Sequence, residues 1–332
     1  MIETELVMDP TDLAAISVCR GITRPGSAGP ALQGADAHVR VADAEAAAAS
    51  CSLWWTQAPK LRGETVGVIG HYSASDPAAA AAVLERACAE LAGQGCAIAV
   101  GPMDGSTWRR CRCLTDRGPE SPFFLEPDNP PEWPAQFYWA QFRELETYYS
   151  ALCTDLDYVD PRLDRVAPRI ERAGITIRSI NTGQFDAELA AIHRVSLVSF
   201  RNNVLYSPIS EAEFLEQYRP LLPLLRPELV LLAEQRGELV GFLFAVPDLL
   251  QAKRGGTIDT AIVKTVAVLP GREYAGLGNL LVAKSHIIAA RLGYRRAIHA
   301  LMHESNESRA LSGHYGRPFR RYALYSRCLT GG

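Results

Sequence analysis

The sequence predicts an α+β protein built from two units of the same order. At 332 residues, the chain is long enough for two hydrophobic cores. Both halves end in the same succession of strand, helix, strand, helix and strand, which is a weak internal repeat. A polar stretch at 154–172 contains two prolines and separates the halves. We therefore predict an N-terminal domain at 1–155, a linker at 156–172 and a C-terminal domain at 173–332.

The composition is that of an ordinary globular protein and argues against several classes of function. The chain is 48% hydrophobic and 21% charged, and its net charge of −3 does not suit a nucleic-acid-binding protein. No apolar run reaches the length of a membrane span, and the N-terminus lacks the residue order of a signal peptide. We therefore predict a cytoplasmic protein that binds neither nucleic acid nor membrane.

The cysteines do not form a metal-binding pattern. Eight are spread along the chain, and only Cys111 and Cys113 are close in sequence. No second pair stands at the spacing of a zinc site, so we predict reduced, half-buried thiols and no metal.

In the N-terminal half, short β-branched or alternating runs predict strands, and an Ala-rich run predicts a helix. Asp76 and Pro77 suit the start of that helix as its cap and first turn. In chain order, we predict strands at 38–42, 52–57 and 64–72, a helix at 77–91, a strand at 96–102, a helix at 134–141 and a strand at 146–152.

In the C-terminal half, Ser210 and Glu213 have the spacing of a capping box and predict the start of a helix. Two apolar runs around a short polar turn predict a hairpin. In chain order, we predict a strand at 175–180, helices at 185–200 and 210–225, strands at 229–233, 239–246 and 260–269, a helix at 277–292, a strand at 295–303, a short helix at 305–316 and a strand at 320–329.

The most informative segment runs from the strand at 260–269 into the next helix through a turn that contains Gly276 and Gly278. A strand that enters a helix through such a turn presents backbone N–H groups that can bind a pyrophosphate. On spacing alone, a plain strand-to-helix turn explains the two glycines equally well.

From about 175 to 329, the chain resembles the GNAT superfamily of acyl-CoA-dependent N-acyltransferases. Its members carry a pyrophosphate loop that commonly reads Arg/Gln-x-x-Gly-x-Gly/Ala, and the matching window here is Glu273-Tyr-Ala-Gly276-Leu-Gly278. Glu273 departs from the pattern. Either Arg272 supplies the positive charge, or backbone amides bind while Glu273 points into solvent. The resemblance implies two tandem GNAT-like domains, each a mixed, mostly antiparallel sheet flanked by helices.

The resemblance also implies acetyl-CoA, or another acyl-CoA, as the cofactor. Backbone groups of Val266, Ala267 and Val268 would pair with the pantetheine arm. The implied pyrophosphate contacts are Arg272, Glu273, Tyr274, Ala275, Gly276, Leu277, Gly278 and Asn279. Asn306 and Ser308 are further candidates for contact with CoA.

Three ionisable residues are candidates for proton transfer. Tyr315 lies three residues after the position of the family's usual acid, so it is either displaced into that role or a packing residue. His303 follows an apolar strand and is either a base or a structural histidine. Lys264 either faces the ligand or pairs with an acid such as Asp259.

The loop between the first two helices of the C-terminal half supplies candidate acceptor contacts. Phe200, Asn202, Asn203 and Tyr206 offer two amides and two aromatic rings, which suit a polar small molecule. A turn-rich connection that uses Asn for its backbone preferences explains them equally well.

The N-terminal half resembles a degraded copy of the same domain, since no glycine pair follows its strand at 64–72. Its segment 104–109 either lines an acceptor site between the halves or is an ordered loop anchored by Trp108, Trp133 and Trp139. We therefore predict an acyl-CoA-dependent N-acyltransferase that acts on a small-molecule or peptide amine. The alternative is a non-catalytic GNAT-fold sensor or scaffold, and the oligomeric state stays open.

Overall fold

The computed structural model describes residues 3–7, 34–43, 46–304 and 315–330. They form an α+β structure, as the sequence predicts. The strands are β1 (Glu3–Val7), β2 (Ala37–Asp43), β3 (Ala46–Trp54), β4 (Lys60–Leu61), β5 (Glu64–Ala74), β6 (Ile98–Gly101), β7 (Cys113–Asp116), β8 (Arg143–Cys153), β9 (Ile175–Ser179), β10 (Val230–Gln235), β11 (Glu238–Pro247), β12 (Thr260–Val268), β13 (Arg296–His303) and β14 (Arg317–Cys328). The helices are α1 (Pro77–Gly93), α2 (Trp133–Trp139), α3 (Leu163–Arg172), α4 (Phe185–Ser199), α5 (Glu211–Tyr218), α6 (Leu249–Lys253) and α7 (Leu277–Arg291).

One sheet runs through both halves of the molecule. Its strand order is β1-β2-β3-β5-β6-β14-β8-β13-β12-β11-β10-β9, with β4 beside β5 and β7 beside β14. Most neighbours are antiparallel, and the parallel pairs are β5 with β6 and β12 with β13. The two parallel pairs occupy equivalent places in the two halves, so the predicted repeat is visible in the sheet.

The last strand of each half lies in the sheet of the other half. β14 pairs with β6 of the N-terminal half, and β8 pairs with β13 of the C-terminal half. β14 and β8 also pair with each other, from Arg317 to Ser326 on β14. The predicted domain limits at 155 and 173 stay predictions, but the sheet crosses from one half to the other through these two strands.

A buried polar network ties β14 to the segment that follows β7. Arg320 Nε donates to Glu126 Oε1 at 2.9 Å, and Tyr322 Oη donates to the same oxygen at 2.7 Å. The side chains of Arg320 and Glu126 are each only 2% exposed. Burial raises the pKa of Glu126, whereas the hydrogen bond from Tyr322 and the charge of Arg320 lower it. The charges of Arg320 and Glu126 therefore stabilise each other in the buried interior.

Helices cover both faces of the C-terminal sheet and bury separate cores. One core contains Leu277 and Leu281 of α7 together with Ile170 of α3. The core on the other face contains Leu189 of α4 and Phe214 of α5. Among the described residues, no helix has the length and apolar character that crossing a membrane requires.

Three of the predicted segments differ from the elements of the structure. The linker contains α3, whose Leu163, Val166 and Ile170 pack on one core. The helix predicted at 210–225 ends at Tyr218 and continues as 3-10 turns over Arg219–Leu224, a stretch with two prolines. The strand predicted at 52–57 is wrong in its bounds, because β3 covers Ala46–Trp54. Most of the helix predicted at 305–316 lies outside the described residues.

Candidate functional site

The parallel strands β12 and β13 separate partway along their length. They pair only between 260–263 and 296–299. Directly after this ladder, β12 has a β-bulge at Lys264, which lacks an opposite residue on β11. β12 then continues beside β11 as far as Val268, and in the described part of the chain it pairs with β13 no further. A gap therefore opens between the two strands on the side that leads to α7.

Backbone groups of β12 face this gap. The backbone N–H of Leu269 donates to β11 at 2.8 Å, which fixes the alternation of the antiparallel ladder. By that alternation, the N–H and C=O groups of Val266 and Val268 point away from β11. The Val268 carbonyl accepts a hydrogen bond from Ser199 Oγ at 3.0 Å. The Ala267 side chain is buried in the core on the α4 side. Val266 therefore presents its backbone to the gap.

The equivalent place in the N-terminal half is closed. β5 pairs with β6 over 66–68, and the contact continues where Met103 N donates to Ile69 O at 2.9 Å. Asp104 Oδ1 then accepts from the backbone N–H of His71 at 2.7 Å. A Cβ atom on Gly70 would lie 2.2 Å from the Met103 carbonyl oxygen, so the two segments are in direct backbone contact. This half has no comparable gap within its described residues.

The helices that follow these strands also differ at their N-termini. Asp76 caps α1, and its carboxylate accepts from the N–H groups of Ala78 and Ala79, each at 2.9 Å. These hydrogen bonds lower the pKa of Asp76. The cap of α7 is Gly276 at φ +80°, and within the described residues no side chain caps it. The positive end of α1 therefore carries the protein's own anion, whereas that of α7 does not.

The first turn of α7 contains Leu277, Gly278 and Asn279, whose N–H groups lie before the first intrahelical hydrogen bonds. Gly278 and Asn279 are half-buried, whereas Leu277 is buried. Such a turn presents hydrogen-bond donors to an anion in front of the helix. The first turn of α7 is therefore a candidate anion-binding feature.

The loop before α7 places Glu273 against its own backbone. A Cβ atom on Gly271 would lie 2.9 Å from the Glu273 carboxylate, so the carboxylate packs over that glycine. Arg272, Glu273 and Ala275 are exposed. Tyr274 is half-buried, and its Oη donates to Gln235 Oε1 at 3.1 Å. Tyr274 therefore has a packing role, and the exposed side chains border the start of α7.

Helix α3 holds the opposite side of this loop. Arg169 donates to the carbonyl oxygen of Arg272 at 3.3 Å and also to that of Ala275. Val166 packs on Gly276, where a Cβ atom would lie 2.9 Å from the valine side chain. A side chain at position 276 would therefore meet both this contact and a strained positive φ. These contacts involve residues of the segment 156–172, which the sequence predicts to be a linker.

The structure does not bring the three candidate proton-transfer residues together. Lys264 Nζ donates to the carbonyl oxygen of Leu125 at 3.2 Å, and not to Asp259 as one hypothesis held. His303 Nε2 lies 2.6 Å from Glu146 Oε2 of β8. Tyr315 lies in the core beneath α7, and burial raises its pKa to about 12. Each side chain packs in a different part of the fold. Asn306 and Ser308 lie outside the described residues.

The candidate acceptor residues lie around a tryptophan from the N-terminal half. Trp108 Nε1 donates to the carbonyl oxygen of Ser207 at 2.7 Å. Its ring meets those of Phe200 and Tyr206 edge-on, with centroids 6.0 and 6.1 Å apart. Asn202 and Asn203 are exposed on the same loop. Trp108 therefore anchors the loop to the N-terminal half. Trp108 is half-buried and Trp133 is buried, whereas Trp139 is 64% exposed and does not have the predicted anchoring position.

A separate cavity lies elsewhere in the fold. It has a volume of about 260 Å³ and is bordered by Thr260 and Arg296, the first residues of β12 and β13. The loop before α7 follows the other end of β12, so the cavity and the gap lie at opposite ends of that strand. Its charged groups are paired, since Arg296 lies 3.2 Å from Glu120 and Arg254 lies 3.7 Å from Asp248.

Known structures resemble the whole arrangement. The glucosamine N-acetyltransferase region of a fungal multi-domain GH3 β-N-acetylglucosaminidase superposes with a TM-score of 0.53, at 14% identity, over 88% of this chain and 33% of that one. A GCN5-related N-acetyltransferase (GNAT) from Anabaena variabilis superposes with a TM-score of 0.52, at 10% identity, over 99% of this chain and 73% of its own. A GNAT from Sphaerobacter thermophilus superposes with a TM-score of 0.50, at 14% identity, over 89% and 81% of the two chains.

The chain has the GNAT fold. It spans a third of the fungal protein, and its identity to these structures is only 10–14%. The likeness therefore concerns the GNAT fold and not the activity. No protein-family model matches the sequence, and no curated protein matches it.

One cluster of side chains was missed entirely. Cys153, His286 and His299 meet in the core beneath α7, although the sequence places them on three separate elements. The seven cysteines in the described part of the chain are free thiols, and all but Cys328 are buried. No spacing in the sequence indicates this cluster, because α7 and β13 join only through the topology of the sheet.

Proposed function

We propose that the protein is an acyl-CoA-dependent N-acyltransferase, with acetyl-CoA as the acyl donor and a small-molecule or peptide amine as the acceptor. The observation that carries the proposal is the difference between the two halves. The N-terminus of α7 is uncapped by any described side chain and follows an open gap, whereas the N-terminus of α1 is capped by Asp76. The cofactor would therefore occupy the C-terminal half alone.

In this proposal, the backbone of the chain holds most of the cofactor. The N–H groups of Leu277, Gly278 and Asn279 would bind the pyrophosphate at the start of α7. The backbone of Val266 would pair with the pantetheine arm in the gap between β12 and β13. The packing of Glu273 over Gly271 is compatible with this arrangement, since a backbone site needs no basic side chain. Arg272 is exposed on the same loop and would add a positive charge.

The chemistry would be direct transfer. A neutral amine attacks the thioester carbonyl, the C–S bond breaks, and the thiolate takes up a proton as the amide forms. The β-bulge at Lys264 lies where the gap begins, so the reacting carbonyl would lie near it. Lys264, His303 and Tyr315 remain the proposed groups for proton transfer, and each is separately testable by the pH dependence of the rate in its variant.

Calorimetric titration with acetyl-CoA and with CoA tests the site. Ala275 and Ser75 are both exposed and stand directly before the cap of α7 and of α1, respectively. Ala275 has an ordinary negative φ of −55°, so a larger side chain fits there without backbone strain. We expect Ala275→Trp to weaken binding at least ~10-fold, because the ring would stand in front of α7. Ser75→Trp should bind as wild type does.

Either of two results would refute this placement. One is the absence of binding to folded wild type, and the other is an equal loss in Ser75→Trp. Where acetyl-CoA binds, release of the CoA thiol with a panel of primary amines, together with the mass of the product, tests the transfer itself.

A non-catalytic acyl-CoA-binding protein is the second candidate, and two observations favour it. Lys264, His303 and Tyr315 pack in different parts of the fold. The Trp108 side chain is hydrogen-bonded to the loop where an acceptor would bind. Tight binding of acetyl-CoA without transfer to any amine in the panel would favour this second function.

A further inference from the structure

Three potential metal ligands meet in the core beneath α7, apart from the proposed acyl-CoA site. Cys153 ends β8, His286 lies on α7, and His299 lies on β13. One ligand atom of each residue lies within 4.8 Å of the others. The Nε2 atoms of the two histidines are 2.9 Å apart. The three residues are 0%, 1% and 3% exposed, so the cluster is closed to solvent.

The distance between the two histidine nitrogens is close to that in a coordination shell. Zinc binds thiolate sulfur at about 2.3 Å and imidazole nitrogen at about 2.0–2.1 Å, which in tetrahedral geometry separates two nitrogen ligands by roughly 3.3 Å. The two Nε2 atoms would therefore have to move apart by only about 0.4 Å. A shift of that size lies within the range of small side-chain rotations.

We propose that Cys153, His286 and His299 bind one thiophilic divalent ion, with Zn²⁺ as its first candidate. Each imidazole donates a lone pair, and the sulfur–zinc bond forms as the Cys153 S–H proton leaves to solvent. No group is oxidised or reduced. A mixed set of imidazole and thiolate ligands is typical of zinc and excludes magnesium and calcium. Tyr315 covers one side of the cluster, with its ring centroid 5.1 Å from that of His286.

The role of this ion is structural. β8 belongs to the N-terminal half in sequence, whereas α7 and β13 belong to the C-terminal half. An ion bound to all three elements cross-links the exchanged strand β8 to the helix that would bind the cofactor. Binding to the folded state alone raises the stability of that state, because a preformed set of ligands is lost on unfolding.

A hydrogen-bonded pair of neutral histidines is the competing explanation for the short distance between the rings, and titration of the whole protein distinguishes the two. The protein is stripped with a chelator and titrated with Co²⁺ as a spectroscopic substitute for Zn²⁺. We expect one equivalent to produce a sulfur-to-cobalt charge-transfer band, Zn²⁺ to abolish that band, and Zn²⁺ to raise the Tm by at least ~5 °C. Absence of the band from folded protein at millimolar Co²⁺ overturns the proposal.

Two cysteine variants identify the thiolate. Cys153 and Cys113 are both fully buried, and only Cys153 belongs to the cluster. We expect Cys153→Ser to lose the cobalt band and at least ~100-fold in affinity, whereas Cys113→Ser keeps both. An unchanged band in Cys153→Ser, or its loss in Cys113→Ser, refutes this set of ligands. If Cys153→Ser does not fold, the wild-type titration still decides the question.

Discussion

Replacement of Asn279 by Asp should change stability and cofactor affinity in opposite directions. Asn279 is the third residue of α7 and is half-buried beside the uncapped N-terminus. Asp has nearly the same shape as Asn, so the substitution adds a negative charge and little else. The added carboxylate would interact favourably with the helix N-terminus and unfavourably with a pyrophosphate bound there.

The two effects have different sizes. An acid in the first turn stabilises a helix by about 0.3–1 kcal/mol. Two unit charges about 5 Å apart repel by roughly 1–3 kcal/mol when the effective dielectric constant lies between about 80 and 20. Asn279→Asp should therefore unfold at a slightly higher urea concentration than wild type and bind CoA about 5- to 150-fold more weakly.

Urea denaturation and calorimetric titration at the same ionic strength measure the two effects. Asn181→Asp is the matched control, since Asn181 is exposed and caps a turn far along the chain from α7. If Asn279→Asp weakened CoA binding and also lowered stability, local unfolding would explain the loss. If it left the CoA affinity within a factor of about three, the pyrophosphate would not lie in front of α7.

Three further predictions concern stability and contacts. Glu126→Gln leaves the buried Arg320 without its counter-ion and should lower the free energy of unfolding, measured by urea denaturation, by about 3–5 kcal/mol. Asp186→Asn, which breaks an exposed ion pair, should leave that free energy close to the wild-type value. Similar losses in the two variants would contradict the importance of burial. Trp108→Ala should lower the free energy of unfolding by about 2 kcal/mol or more and speed amide hydrogen exchange across residues 200–209. Unchanged hydrogen exchange there would argue against the anchoring role of Trp108. Burial lowers the pKa of His38 to about 4, so His38 binds more protons in the unfolded state than in the folded state between about pH 6.5 and 4. As the pH falls through this range, His38 alone should lower the free energy of unfolding by at most about 1.4 kcal/mol per pH unit. His38→Gln should reduce the slope of stability against pH by up to that amount, and an unchanged slope would assign it to other groups.

Local signals in the sequence predicted the caps and most elements well. Ser210 accepts from the N–H of Glu213 at 3.2 Å, and Asp76 caps α1, because both interactions depend only on neighbouring residues. Helix α3 was missed because Pro168 lies inside it, although Leu163, Val166 and Ile170 follow a helical period. The strand exchange could not be predicted, since alternation in β8 and β14 defines a strand and not its neighbours.

The candidate site was predictable in part for the same reason. Gly276 and Gly278 are visible in the sequence because a turn into a helix needs them locally. The roles of Arg169, Trp108 and Leu125 were not visible, since each of these residues makes its contact across more than 90 positions of sequence. The packing of Glu273 over Gly271 is local, but no pattern of residue types indicates which way an exposed carboxylate turns.

The duplication explains why, in our proposal, one half would bind a cofactor and the other would not. In the N-terminal half, Asp76 occupies the helix N-terminus and Asp104 takes the backbone N–H of His71, which lies at the bend of β5. The same carboxylates that fill these positions stabilise this half without a ligand. In the C-terminal half, the corresponding positions are the cap of α7 at Gly276 and the strand beside Lys264. Both are formed by backbone groups. Because β8 and β14 are exchanged, the N-terminal half contributes a strand to the sheet of the C-terminal half. The gap between β12 and β13 therefore lies within one continuous sheet.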